Sequence, residues 1–175
     1  GNTSGTLELR WKTSIENSEA ALALDVTRPG RMQPGQIALT ASTHADYNFR
    51  TGNLSISDLS ANTPATQIRA SGSLTSSLKL SFATNDIREW QPVTSALFPE
   101  GMPFDLRGRA AFNGSASGKP ANLAVIGNVQ LADFDVVIPS IGKSPQPTVH
   151  WDSLESDLQL SSGGLTLRNA SLRHG

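Results

Sequence analysis

The pattern that most constrains this chain is alternation. An extended strand sends successive side chains to opposite faces, so a strand with one covered face repeats its apolar residues with period two. That period recurs in nearly every segment. Leu7, Leu9, Trp11, Thr13 and Ile15 share one parity, and after Glu16-Asn17-Ser18 the apolar parity passes to Ala20, Leu22, Leu24 and Val26, which predicts a hairpin. Two Pro-Gly pairs between Thr27 and Gly35 predict a surface loop. From Gln36 to Phe49 no turn signal intervenes, and Ile37, Leu39, Ala41, Thr43, Ala45, Tyr47 and Phe49 share a face. Fully extended, that run reaches roughly 45 Å, beyond an ordinary strand.

The alternation continues through Leu54 and Ile56, Ile68 and Ala70, then Leu78, Leu80 and Phe82, separated by polar turns at 51–53, 62–64 and 75–77. Phe104 to Phe112 forms another alternating run. Gly114 to Gly118, five small residues, reads as a turn before Leu123, Val125, Gly127, Val129 and Leu131. Phe134, Val136 and Ile138 then take the opposite parity. A bulge or bend near Ala132-Asp133 keeps one face apolar. A second loop is expected from Pro139 to Pro147, followed by strands around Val149-His150-Trp151, Leu158-Leu160 and Leu165-Leu167.

One stretch departs from period two. Ile87, Trp90, Val93 and Leu97 lie at helical spacing, with Asn85 as a cap, Pro92 as a hinge and Pro99 as a stop, so a short helical insert is expected near residues 86–98. The whole chain, 1–175, is therefore read as a single all-β unit of long antiparallel strands. It forms either an open trough or an elongated β-sandwich-like roll. The apolar parity carries the candidate functional surface: Ile37, Leu39, Tyr47, Phe49, Leu78, Leu80, Phe82, Val125, Val129, Leu131, Leu158 and Leu160. Covering these residues by protein and covering them by a lipid chain follow the same apolar transfer, about 0.8 kcal/mol per CH₂, so the pattern serves core and groove alike.

Composition narrows the function. Fourteen Lys and Arg against fifteen Asp and Glu leave a net charge of -1 with no basic run, which argues against nucleic acid as a partner. The chain contains no cysteine, so thiolate metal sites and a cysteine nucleophile are excluded. His44, His150 and His174 are scattered, and Asp133, Asp135, Asp152, Glu155 and Asp157 lack the spacing of a calcium loop. No serine sits in a strand-to-helix elbow. The reading is of no enzyme, no metal and no cofactor. Trp11, Trp90 and Trp151 raise a carbohydrate-binding module as a further alternative, against which their apolar parity favours packing.

A faint internal repeat links Gly52-Asn53-Leu54-Ser55-Ile56-Ser57-Asp58-Leu59-Ser60 to Gly163-Gly164-Leu165-Thr166-Leu167-Arg168-Asn169-Ala170-Ser171, 111 residues on. The run Phe112-Asn113-Gly114-Ser115-Ala116-Ser117-Gly118, continuing through Leu123-Ala124-Val125-Ile126-Gly127-Asn128-Val129 to Asp133-Phe134, resembles the repeating unit of TamB-type translocation and assembly proteins and their AsmA-like relatives. Leu74 to Trp90 and Val149-His150-Trp151-Asp152-Ser153-Leu154 are similar to the same family. The resemblance implies an internal fragment of a repeat-built β-taco protein, apolar inside, spanning the periplasm from an inner-membrane anchor. It further implies phospholipid acyl chains as cargo, or outer-membrane protein strands as clients, and an outer-membrane assembly partner.

Overall fold

In the computed structural model, residues 2–12, 14–28, 30–31, 36–91, 105–120, 122–138, 147–162 and 164–175 are described. Among them, ten strands follow one another in chain order: β1 (Asn2–Lys12), β2 (Ser14–Thr27), β3 (Thr40–Asn48), β4 (Asn53–Asn62), β5 (Thr66–Ser73), β6 (Ser77–Thr84), β7 (Asp105–Lys119), β8 (Asn122–Val137), β9 (Thr148–Ser161) and β10 (Gly164–Arg173). They form one sheet in that same order, every neighbour antiparallel. The all-β expectation holds. β1 and β10 are its two edges, so the sheet is open.

The cross-strand register explains why a meander of this size keeps one apolar face. Reading across one row, Leu24 pairs with Thr43, Thr43 with Leu59, Leu59 with Ala70, Ala70 with Leu80, Leu80 with Gly114, Gly114 with Gly127, Gly127 with Leu158, and Leu158 with Leu167. Neighbouring rows are as apolar: Phe82 lies beside Phe112 and Phe112 beside Val129. At one end of the central strands Leu74, Leu78, Ala116 and Val125 form a buried cluster with Leu54, Ile56, Leu80 and Phe112 packed against it, and at the other end Phe134, Val137, Thr66 and Thr84 are buried as well.

Three hairpins gain one residue in their second strand and keep this face apolar past it. From Ile56 to Ser60, β4 advances four residues while β3 advances three, from Ala45 to Ser42. From Leu131 to Asp135, β8 does the same against Ala110 to Arg107, and from Leu167 to Ser171 β10 does so against Leu158 to Glu155. One extra residue in the second strand of a hairpin is a β-bulge. The bulged sequences are Ile56-Ser57-Asp58-Leu59, Leu131-Ala132-Asp133-Phe134 and Leu167-Arg168-Asn169-Ala170, each apolar, any residue, Asp or Asn, apolar.

Asp133 (φ 51) and Asn169 (φ 52) occupy the left-handed region that short polar side chains tolerate best. In all three bulges that Asp or Asn is held by the neighbouring strand. His44 Nδ1 lies 3.0 Å from Asp58 Oδ1, Arg109 Nη2 3.8 Å from Asp133 Oδ2, and Asn169 Nδ2 donates to Asp157 Oδ2 at 2.8 Å. The carbonyl turned out of the ladder is also satisfied: Thr43 Oγ1 donates to Asp58 O, and Ser156 Oγ to Arg168 O. This is why polar Thr43 and Ser156 sit in an apolar row.

The structure corrects several local expectations. The long strand expected from Gln36 begins only at Thr40, because Leu39 N donates to Ile37 O at 2.9 Å; this three-residue turn takes Ile37 and Leu39 out of the ladder. Phe49 lies in the turn after β3, with its N–H bound to Ser18 O. Gly114 to Gly118 is not a turn but the interior of β7. Small residues are needed there for close approach: a Cβ on Gly114 would lie 2.5 Å from Phe112 Cζ, and one on Gly127 2.7 Å from Phe112 Cε2, so the Phe112 ring lies over both glycines. Glu16-Asn17-Ser18 falls within β2, where the register against β1 slips between Trp11 and Lys12.

The helical expectation is met by a 3-10 turn at Ile87–Trp90, capped by Asp86 rather than Asn85, since the Asp86 side chain accepts from Arg88 N. The Arg88 guanidinium holds the Asp86 carboxyl below its ordinary value. Pro92, Val93, Leu97 and Pro99 lie outside the described residues, as do Phe104, the side chains of Trp11 and Ile15, and 139–146 of the second loop. That loop's ends meet where Ile138 N donates to Pro147 O.

Gly108 (φ 127) stands opposite the β8 bulge, and a Cβ there would lie 2.5 Å from Asp133 O and 2.7 Å from Phe134 Cα. Gly108→Ala is expected to cost about 1–3 kcal/mol through strain and overlap. Gly30→Ala, where a Cβ meets nothing within 4 Å, is the neutral control. Urea unfolding midpoints at unchanged slope measure the difference.

Candidate functional site

Nine of the twelve sequence-predicted surface residues lie in the ladder on the one apolar face: Tyr47, Leu78, Leu80, Phe82, Val125, Val129, Leu131, Leu158 and Leu160. Ile37, Leu39 and Phe49 are displaced to its margin. Phe49 still contacts the face through Tyr47, edge to face at 4.8 Å. Phe134, paired with Trp151, joins the face past the bulge that the parity change predicts, and Leu59, paired with Ala70, joins it past a bulge that parity does not reveal.

Burial across the face is uneven. Leu78 and Val125 are buried, Leu80, Phe82, Val129, Leu131 and Leu158 half-buried, and Leu160 exposed. Towards the edges exposure rises to 65% at Leu7 and 60% at Leu165. Substantial strand contacts run between ladder neighbours, and no second sheet packs on these residues among those described. In general, contiguous apolar area left in contact with water is where apolar partners bind. The opposite face carries mainly polar side chains, with Ile126 exposed among them; an open depression of about 570 Å³ is lined by Asp58, Arg69, Lys79 and Asn113 together with Leu59, Ala70 and Leu80.

One end of the apolar face is closed by a polar clasp. The 3-10 turn brings Trp90 against Phe82, ring centroids 6.0 Å apart, and Trp90 Nε1 donates to Thr66 Oγ1 at 2.9 Å. Thr66 Oγ1 donates to Glu89 Oε2 at 2.7 Å, Thr63 Oγ1 bonds the same carboxylate oxygen, and Ala65 N–H reaches Glu89 Oε1 at 3.4 Å. The buried Thr66 and Thr84 hydroxyls are 2.8 Å apart. The Trp90 ring is thus engaged in packing and its N–H in a hydrogen bond. Trp151 is half-buried, with its ring 5.3 Å from that of His174.

The acidic residues singled out in the sequence gather around a histidine. His150 Nδ1 lies 2.9 Å from Asp135 Oδ1, while its Nε2 lies 3.9 Å from Asp133 and 3.7 Å from Asp152. Glu155 accepts from Gln130, and Asp157 from Asn169. Among the described residues no group of three His, Asp or Glu side chains is placed to hold a metal ion, and no helix is long and apolar enough to cross a membrane. No family of known proteins, no individual characterised protein and no solved structure matches this chain.

The hydrogen bond to Asp135 raises the pKa of His150 above the ordinary imidazole value, aided by the charges of Asp135, Asp133 and Asp152. A raised pKa in the folded state means that the pairing supports the fold fully below about pH 6.5 and fades as pH rises through the raised value. In an NMR titration His150 is expected to lose its proton at higher pH than in a short peptide, and Asp135→Asn is expected to move that midpoint down.

Proposed function

We infer that this chain is a non-catalytic section of a TamB/AsmA-type envelope protein, resident in the periplasm as part of an inner-membrane-anchored whole, whose apolar sheet face shields phospholipid acyl chains in passage between the two membranes. The observation that supports this reading is the largely apolar face across ten strands, over which no second sheet packs among the described residues. An acyl chain is a long, thin apolar object without hydrogen-bonding groups, and a row of Leu, Val and Phe side chains offers it contact without demanding polar partners. The Phe112 to Phe134 segment, which resembles the family unit, is the β7–β8 hairpin at the centre of that surface. The polar clasp at Thr66, Glu89 and Trp90 gives the surface a boundary on one side.

A second reading has its own support: a face that assists outer-membrane protein strands. An extended client segment is itself a strand with an apolar side, which such a sheet face can cover.

The lipid reading is tested by purifying the chain from cells, extracting with organic solvent and analysing the extract by mass spectrometry. Phospholipid is expected to co-purify, and the exposed-site variant Leu160→Asp is expected to carry several-fold less while remaining folded, its lost cross-strand packing costing about 0.2–1 kcal/mol per pair. In reloading assays, two additional CH₂ groups per acyl chain are expected to improve retention roughly tenfold. Photo-crosslinking groups at Phe49 and Val129 separate the readings by capturing lipid or polypeptide. An extract free of lipid, with neither position labelled by lipid, contradicts the lipid reading.

A further inference from the structure

After β6 the chain leaves the ladder in the 3-10 turn Ile87–Trp90, no residue of which is buried. The turn is nevertheless held together by bonds of its own. The Asp86 carboxylate accepts from Arg88 N at 3.0 Å and from Arg88 Nη2 at 2.7 Å, and Glu89 N donates to Asp86 O at 3.2 Å. A short turn with its own cap and charge-assisted bonds keeps its shape without help from the surface beneath it. It is joined to the end of β6, at Thr84, through Asn85 and Asp86.

A second set of bonds fixes the turn against the sheet, and these converge. The Thr63 and Thr66 hydroxyls and the Ala65 N–H all bond the Glu89 carboxylate, and Trp90 Nε1 donates to the same Thr66. With Glu89 so placed, the Trp90 ring stands against Phe82 at a centroid distance of 6.0 Å. Phe82 heads the row that continues through Phe112 and Val129. Trp90 therefore occupies apolar surface that a ligand lying along this row also needs.

We propose that the 3-10 turn is a displaceable cover over the Phe82 end of the apolar face, positioned by Glu89, so that the cover and an apolar ligand compete for Phe82. The inference rests on the reading of that face as a binding surface for apolar molecules. When the turn swings away at Asn85, the Glu89 carboxylate and the Thr63 hydroxyl pass to water, while the buried Thr66 hydroxyl keeps that of Thr84 at 2.8 Å. No buried polar group is left without a partner, so the open state carries no desolvation penalty. Competition of this kind is reciprocal: the ligand loosens the cover by the factor by which the cover weakens the ligand.

Nile red is an apolar probe that needs no phospholipid, and hydrogen exchange of the Trp90 Nε1–H, followed by NMR and assigned with Trp90→Phe, reports the cover. In the native chain this proton is expected to be protected, and in Glu89→Ala to exchange several-fold faster. Glu89→Gln, whose amide oxygen still accepts from the hydroxyls, is expected to stay close to native. Glu89→Ala and Trp90→Ala are each expected to bind the dye several-fold more tightly, and saturating dye is expected to speed Trp90 Nε1–H exchange in the native chain. Native methyl signals from Leu78 and Val125, in the buried cluster at the other end of the strands, show that a variant keeps its sheet; where they change, the dye-driven exchange in the native chain decides. Native exchange in Glu89→Ala, native dye affinity in Trp90→Ala, or exchange unmoved by saturating dye overturns the cover alone. No dye binding by any of these proteins contradicts the binding-surface reading, and the proposal with it.

Discussion

The interaction on which this structure depends is lateral packing between side chains of adjacent strands on one face of one sheet. In a two-layer protein, apolar residues are covered from above by the facing layer. Here each is covered by its neighbours to left and right, and by those two residues along its own strand. Such cross-strand pairs contribute about 0.2–1 kcal/mol each. A sheet built from them is stable through their number and through unbroken registration. A one-residue slip anywhere turns a whole strand's apolar set to the polar side.

Seen in that light, the three bulges are the means by which long strands stay in phase. Each inserts one residue, and Leu59, Phe134 and Ala170 remain on the apolar side after it. The local cost, a positive φ at Asp133 and Asn169, is offset by the hydrogen bonds and ion pair that hold the Asp or Asn side chains, and at two bulges by a hydroxyl on the displaced carbonyl. The close approach of β7 and β8 at Gly114 and Gly127 works alongside them, because it lets the Phe112 ring lie flat on the sheet and spread apolar cover over two positions without side chains.

Much of this was legible in the sequence. Alternation identified the strands, and the parity change between Leu131 and Phe134 located the Asp133 bulge. The corresponding bulges after Ile56 and Leu167 were not found, although the 111-residue repeat aligned those very segments. The reason is physical. After Asp133, Phe134, Val136 and Ile138 in one parity make the phase change visible, whereas Leu59-Ser60-Ala61 and Ala170-Ser171-Leu172 are short and mixed. Gly114 to Gly118 reads as a turn in the sequence because small residues serve turns and close backbone approach equally, and only the partner strand decides between them. Ile37 and Leu39 have the right parity but lie in a local three-residue turn, which alternation cannot register. The Glu89 clasp joins residues 63–66 to 84–90 through tertiary contact, for which hydroxyl and carboxylate side chains carry no spacing signal.

The apolar face of the sheet is expected to be open to solvent when no partner is bound. Methyl-labelled protein exposed to a soluble paramagnetic agent measures this directly, by relaxation enhancement at each methyl group. Strong enhancement is expected at Leu160, intermediate at Leu80, Val129, Leu131 and Leu158, and little at Leu78 and Val125 in the buried cluster. Uniform protection of all seven, as a second protein layer would give, would contradict it.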